Sequence, residues 1–167
     1  MTTTKRTVYH GTTEEVPLPI VNAGRDNLDF GKGFYVTDIR QQAIRWAKIR
    51  SATTTSKSAI LNTYSIDFDE IVRKFQYKQF EFYDEEWLQF IVDCRMGKKV
   101  WRRYGIIEGG VANDRVIDTI EAYMAGQIEK DKALRELAKH QPNNQICILK
   151  QEIIDKYFHF VKSSTVK

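Results

Sequence analysis

A glycine-punctuated turn running straight into an aromatic, β-branched segment constrains this chain most: Asp29-Phe30-Gly31-Lys32-Gly33-Phe34-Tyr35-Val36-Thr37. Gly31 and Gly33 let the backbone approach a ligand closely or adopt a positive φ, while Phe34 to Thr37 has the composition of a strand. The segment after it, Ile39 to Arg50, carries Ile39, Ala43, Ile44, Trp46, Ala47 and Ile49 at roughly helical spacing, with Asp38 in position to cap the helix. Loop, strand and helix in that order place Tyr35 on the strand and Trp46, eleven residues later, on the helix. Facing one another, the two aromatics bound a slot for a flat ring, and their electron-rich faces favour a positively charged one.

Thr7 to His10 forms an earlier strand that runs into Tyr9-His10-Gly11-Thr12. Between the two motifs, Val16 to Asn27 is a loop punctuated by Pro17, Pro19 and Gly24, and Arg25 within it is in reach of a pyrophosphate or simply exposed. Taken singly, a turn and two core aromatics account for each motif. No GxGxxG and no GxxxxGK[ST] loop occurs.

Downstream, Ser51 to Ser58 is a polar connector and Ala59 to Asp67 a strand. Asp84 to Cys94 is an amphipathic helix, Tyr104 to Val111 a buried strand ending at Gly109-Gly110, and Ala112 to Ala125 a helix capped by Asn113 or Asp114. Ala133 to Ala138 is helical, and Gln145 to Lys150 and Tyr157 to Val161 are the last strands. Strands at both ends with helices between predict an α+β fold built on two small sheets, in one domain spanning residues 1–167.

With 42% hydrophobic and 12% aromatic residues the chain folds rather than remaining disordered. Cys94 and Cys147 lie far apart with no CxxC pattern, and the three histidines are scattered, so the expectation is reduced thiols, a cytoplasmic protein and no metal site. The first six residues lack an apolar leader segment, and no run reaches membrane-spanning length. Net charge is only +4, but Arg95, Lys98, Lys99, Arg102 and Arg103 crowd one segment with Trp101 and Tyr104 among them. Basic groups interleaved with aromatics suit single-stranded nucleic acid; a solvated helix end is the alternative.

His-Gly-Thr, then Gly-Lys-Gly-Phe-Tyr, then an aromatic eleven residues on, resembles the catalytic core shared by diphtheria toxin and the poly(ADP-ribose) polymerases. More closely, Tyr9 to Thr12, Asp29 to Thr37, Gln42-Ala43, Trp46-Ala47, Val111 to Asp114 and Asn144 to Ile146 resemble a bacterial domain-of-unknown-function family grouped with the ADP-ribosyltransferases. The resemblance runs from about Val8 to Phe160 and is most specific over residues 29–47. It implies an ADP-ribosyltransferase-like fold, with two mostly antiparallel sheets enclosing a cleft for NAD, which is the substrate. It also implies roles: His10 on a ribose hydroxyl, the Gly11 backbone on the carboxamide, Tyr35 stacked on nicotinamide and Trp46 closing the opposite face. Thr12, Gly33 and Arg25 belong to the same binding set. Gln145 falls where the polymerases place a catalytic glutamate, and Ala43 where they place a carboxamide-binding serine.

An amide cannot act as a base or carry full negative charge. Gln145 therefore argues against polymer elongation and for single transfer, NAD hydrolysis or loss of activity, with Glu152, Asp114 or Glu108 as alternative carboxylates. Three functions follow from the resemblance. The first is a mono-ADP-ribosyltransferase acting on a protein or nucleic acid, as the toxin of a toxin–antitoxin pair with a neighbouring antitoxin protein would. The second is an NAD glycohydrolase, and the third an inactive NAD- or ADP-ribose-binding module.

Overall fold

The first strand, β1 (Arg6–Thr12), pairs antiparallel with β3 (Ala59–Ile66), Arg6 opposite Ile66 and Thr12 opposite Ile60. β3 pairs on its other edge with β7 (Phe158–Val166), through a bulge at Thr63/Tyr64. A second sheet has the order β2 (Phe34–Val36), β6 (Gln145–Ile148), β5 (Ile106–Gly109) and β4 (Tyr77–Phe80). Only its β4–β5 pair is parallel. Among the described residues the α-helices are α1 (Arg40–Ala52), α2 (Phe68–Lys74), α3 (Glu85–Arg95), α4 (Ile117–Met124), α5 (Lys130–Leu137) and α6 (Gln151–Tyr157). This computed structural model describes residues 5–55, 57–113 and 115–167. The architecture is thus mixed α+β, with two mostly antiparallel sheets.

The two sheets are stitched where their strands diverge. Tyr9 N–H donates to the Thr37 carbonyl at 2.8 Å and Thr37 N–H to the Tyr9 carbonyl at 2.9 Å. Alternation then sorts the second sheet between two cores, since successive side chains take opposite faces. Phe34, Val36, Ile106, Ile146 and Ile148 meet Val8, Tyr64 and Ile66 of the first sheet. Ile107 and Cys147 face Trp87, Leu88 and Ile91 of α3 and Ile120 of α4. Covered on both sides, β5 and β6 carry no alternating polar face.

Several expectations need correction. Asp38 does not cap α1: Ile39 holds the N-cap position without a side-chain bond, and the Ile39 N–H goes to Thr37 Oγ1 at 3.0 Å. The Asp38 carboxylate instead accepts from Arg6 at 2.8 Å and from Asn144 at 3.0 Å. The helix expected from Ala112 starts only at Ile117, because the Ala112 N–H is held by Asp29 at 2.7 Å and Asn113 turns back to accept from Arg115 N–H at 2.9 Å. Asp114, the other proposed cap, lies outside the described residues. Tyr157 ends a helix rather than opening a strand, and the strand expected from Tyr104 begins at Ile106. α2, β4 and α6 are elements that no pattern in the sequence marks.

Candidate functional site

The cleft opens where the stitched sheets separate, and its shape follows from one close packing. A Cβ at Gly11 would run into the carbonyl oxygen of Ala43 and lie 2.9 Å from the Ala47 nitrogen, so glycine lets the α1 backbone settle directly on β1. That contact buries Ala43 and Ala47 and brings Trp46, with Arg50 one turn on, to the wall beside His10 and Thr12.

On the opposite wall Tyr35 projects from β2 beside its register partner Cys147, and Gln145 lies two residues back along β6 on the same face. The Tyr35 hydroxyl is fully engaged by the preceding turn: it donates to the Gly31 carbonyl at 2.6 Å and accepts from Phe30 N–H at 3.0 Å. Burial pushes this phenol well above its ordinary value, so the hydroxyl is locked and only the ring remains for the cleft.

His10 is fixed across the sheet junction. Its Nδ1–H donates to the Tyr35 carbonyl at 2.8 Å, since a carbonyl can only accept, which leaves Nε2 of the neutral ring as an acceptor. The ring packs on Phe34 with centroids 4.4 Å apart. Enclosure by protein lowers its pKa below the ordinary 6.5, and the nearby Arg50 charge lowers it further, against the opposing effect of the Tyr35 carbonyl. His10 is therefore a neutral hydrogen-bonding group at pH 7.

His10, Gly11, Thr12, Arg25, Gly33, Tyr35, Trp46 and Gln145 all line this single cleft of about 700 Å³. Gln145 is 8% exposed and its amide makes no hydrogen bond with any described residue. The amide is not among the fully buried polar atoms left without a partner, so it reaches the cleft surface and stays free to bond a group that enters.

Two of the three alternative carboxylates lie elsewhere. Glu108 is turned to the opposite face of the sheet, where it accepts two bonds from Arg6 (3.1 and 2.8 Å), one from Tyr77 (2.8 Å) and one from Asn144 (2.9 Å). Glu152 is on the surface of α6, paired with Lys156 at 2.9 Å. Asp114 lies outside the described residues. The carboxylates that do line the cleft are Asp29 and Glu14, neither of them assigned a role from sequence. Asp29 is buried, accepting from Arg95 Nε at 2.6 Å and from Ala112 N–H at 2.7 Å, while Glu14 sits at the rim and pairs with Lys57 at 3.3 Å. Arg50 and Arg95 join Arg25 in the lining, giving three guanidinium groups against two paired carboxylates. The cleft thus favours an anionic ligand.

The basic segment does not form one face. Arg95 turns into the cleft, Lys98 pairs with Asp93 at 3.5 Å and Arg103 lies 5.0 Å over the Tyr104 ring, leaving Lys99 and Arg102 exposed without an ion pair to a described residue. Cys94 and Cys147 are free and buried, and burial pushes the Cys94 thiol up to about 12, so it is unreactive. Among the described residues no helix is long and apolar enough to cross a membrane.

Neither a curated protein nor a solved structure matches the chain. A family model described as "Protein of unknown function (DUF3990)" matches residues 6–160, which include every cleft residue named above. Because that match takes in nearly the whole chain, the protein belongs to the DUF3990 family.

Proposed function

We propose that the cleft binds NAD as a substrate and breaks its nicotinamide–ribose bond, passing one ADP-ribose to a macromolecular acceptor on an ADP-ribosyltransferase-like fold. The observation that carries this reading is the convergence in one cleft of the Tyr35 ring, the Gln145 amide on the same wall, unbonded to any described residue and open to the cleft, and the tautomer-locked His10. A ligand with a flat cationic ring, a polyhydroxylated sugar and a diphosphate suits, in turn, the Tyr35 and Trp46 rings, the His10 and Gln145 polar groups, and the arginines.

In this reaction the C1′–N bond breaks, its electron pair stays with the departing nicotinamide, and an acceptor nucleophile attacks C1′ and gives up its proton. His10 Nε2 accepts a hydrogen bond from a ribose hydroxyl, and Gln145 orients the sugar and the incoming acceptor. Neither supplies the negative charge that best stabilises a ribosyl cation. Asp29 is held by two donors and Glu14 by Lys57, so the site orients more than it activates. That suits one transfer rather than a growing polymer, and fits a toxin restrained by a neighbouring antitoxin protein. The engaged carboxylates also favour a second reading, in which the cleft binds NAD or ADP-ribose and does not turn it over.

Release of labelled nicotinamide, with and without cell lysate, tests the assignment. Transfer requires lysate, glycohydrolase activity does not, and Tyr35→Ala abolishes either. Gln145→Glu, restoring a carboxylate, is expected to raise release by about a hundredfold. An unchanged rate in Gln145→Glu would put β6 away from the ribose, and absence of release under every condition would leave the binding reading.

A further inference from the structure

The Gly31-Lys32-Gly33 turn divides two cavities. Gly33 lines the cleft described above, whereas Lys32 lines a second cavity of about 540 Å³ on the other side, and Ile20 forms part of both walls. Trp101 is the aromatic wall of this second cavity. Its ring lies directly on the Gly31 backbone, where a Cβ would overlap it, and a φ of 95° keeps that position for glycine. Trp101 is therefore held rigidly, half-buried, by the same turn that anchors the Tyr35 hydroxyl.

The remaining groups show what such a wall would receive. Asn22 is exposed at the rim with its amide unbonded to described residues, and Asp155 uses Oδ1 to accept from Gln151 at 3.1 Å. An amide and a carboxylate beside an indole match the donor-rich edge of a nucleobase. Within two residues of Trp101 in the chain stand Lys99 and Arg102, exposed and without an ion pair to a described residue, and across the cavity Lys32 pairs with the largely exposed Asp26 at 3.6 Å. Cations flanking an aromatic platform favour a phosphate backbone threaded past a stacked base. An acidic peptide would find the cations but meet Asp155, and it has no use for the indole.

We propose that this second cavity docks single-stranded nucleic acid, one base against Trp101 and the backbone along Lys32, Lys99 and Arg102, and that this strand is the acceptor for the adjoining cleft. Only the acceptor role rests on the NAD reading; the docking does not.

Fluorescence anisotropy of labelled single-stranded RNA and DNA oligonucleotides, across a salt series, tests it. Lys99→Glu/Arg102→Glu is expected to weaken binding at least about tenfold at low salt and to lower the salt slope by about 1.4, because two cations no longer neutralise phosphates. Trp101→Ala is expected to weaken binding about tenfold, with Trp101→Phe retaining most of the affinity. Because Trp101 also packs against the core, the surface double substitution keeps the test independent of folding. Absence of oligonucleotide binding, equal binding by the double variant, or lysate labelling confined to protein and unaffected by it, overturns the proposal. NAD turnover measured on the same preparations separates the two readings. Turnover without oligonucleotide binding sinks the docking alone, and binding that obeys both sets of substitutions without turnover sinks NAD cleavage and the acceptor role but not the docking.

Discussion

At the scale of single residues, the cleft depends on positions whose roles differ from what their types suggest. Gly11 matters first for what it lacks, because any side chain there collides with the Ala43 carbonyl oxygen. Gly11→Ala is expected to cost about 1–3 kcal/mol in denaturant unfolding, since the obstruction is helix backbone that cannot swing aside. The shift of α1 would also displace Trp46 and Arg50, so ligand affinity should fall along with stability. A Gly11→Ala protein as stable as the parent would show that α1 does not rest on β1 as described. Tyr35 was legible from its strand and its neighbouring glycines, but the locking of its hydroxyl onto the turn at Phe30 and Gly31 was not. Arg50 had a signal that could have found it, one helical turn beyond Trp46 on the same face.

At the scale of elements, the motifs turn out to divide labour between lining the cleft and holding its walls. Asp29, at the head of the most distinctive stretch, clamps the end of α3 through Arg95 and the loop after β5 through Ala112, partners 66 and 83 positions away. No local pattern announces contacts at such separations, which is why this role was invisible in sequence. Gln42 and Thr37 both donate to the Asn144 carbonyl, at 3.2 and 2.7 Å, and so hold β6 where Gln145 meets the cleft. The missed elements were missed for a physical reason: α2 and α6 are seven residues each and β4 is four, too short to complete a periodic pattern. Asp29→Asn is expected to keep the Ala112 bond while losing the charged one to Arg95, costing about 2 kcal/mol of stability. With Arg95 no longer fixed, ADP-ribose affinity is expected to fall about tenfold, measured by calorimetry. An unchanged ADP-ribose affinity in a destabilised protein would make Asp29 purely architectural.

For the molecule as a whole, two titrating groups sit across the junction of the sheets and tie its integrity to pH. Burial alone would raise the Glu108 carboxyl, but hydrogen bonds from Arg6, Asn144 and Tyr77, with the Arg6 charge, outweigh it and hold the group below its ordinary 4.5. His10, also at the junction, is held below its ordinary 6.5, mainly by enclosure in protein. Both folded-state values are depressed, so in each case the unfolded chain takes up protons first as pH falls. Each contribution is complete above the unfolded value and is lost on descending through the folded one. Acid should therefore weaken the fold in two stages, the first opening below about pH 6.5 as His10 resists protonation and the second below about pH 4.5 as Glu108 does. His10→Asn keeps a side-chain donor for the Tyr35 carbonyl but cannot titrate, so it is expected to flatten unfolding free energy between pH 7 and pH 5.5 and leave the lower stage intact. Urea midpoints of the two proteins across that interval decide the matter: parallel curves would mean that His10 is solvated well enough to protonate without cost, and the tight junction inferred between the two sheets would have to be loosened at that point.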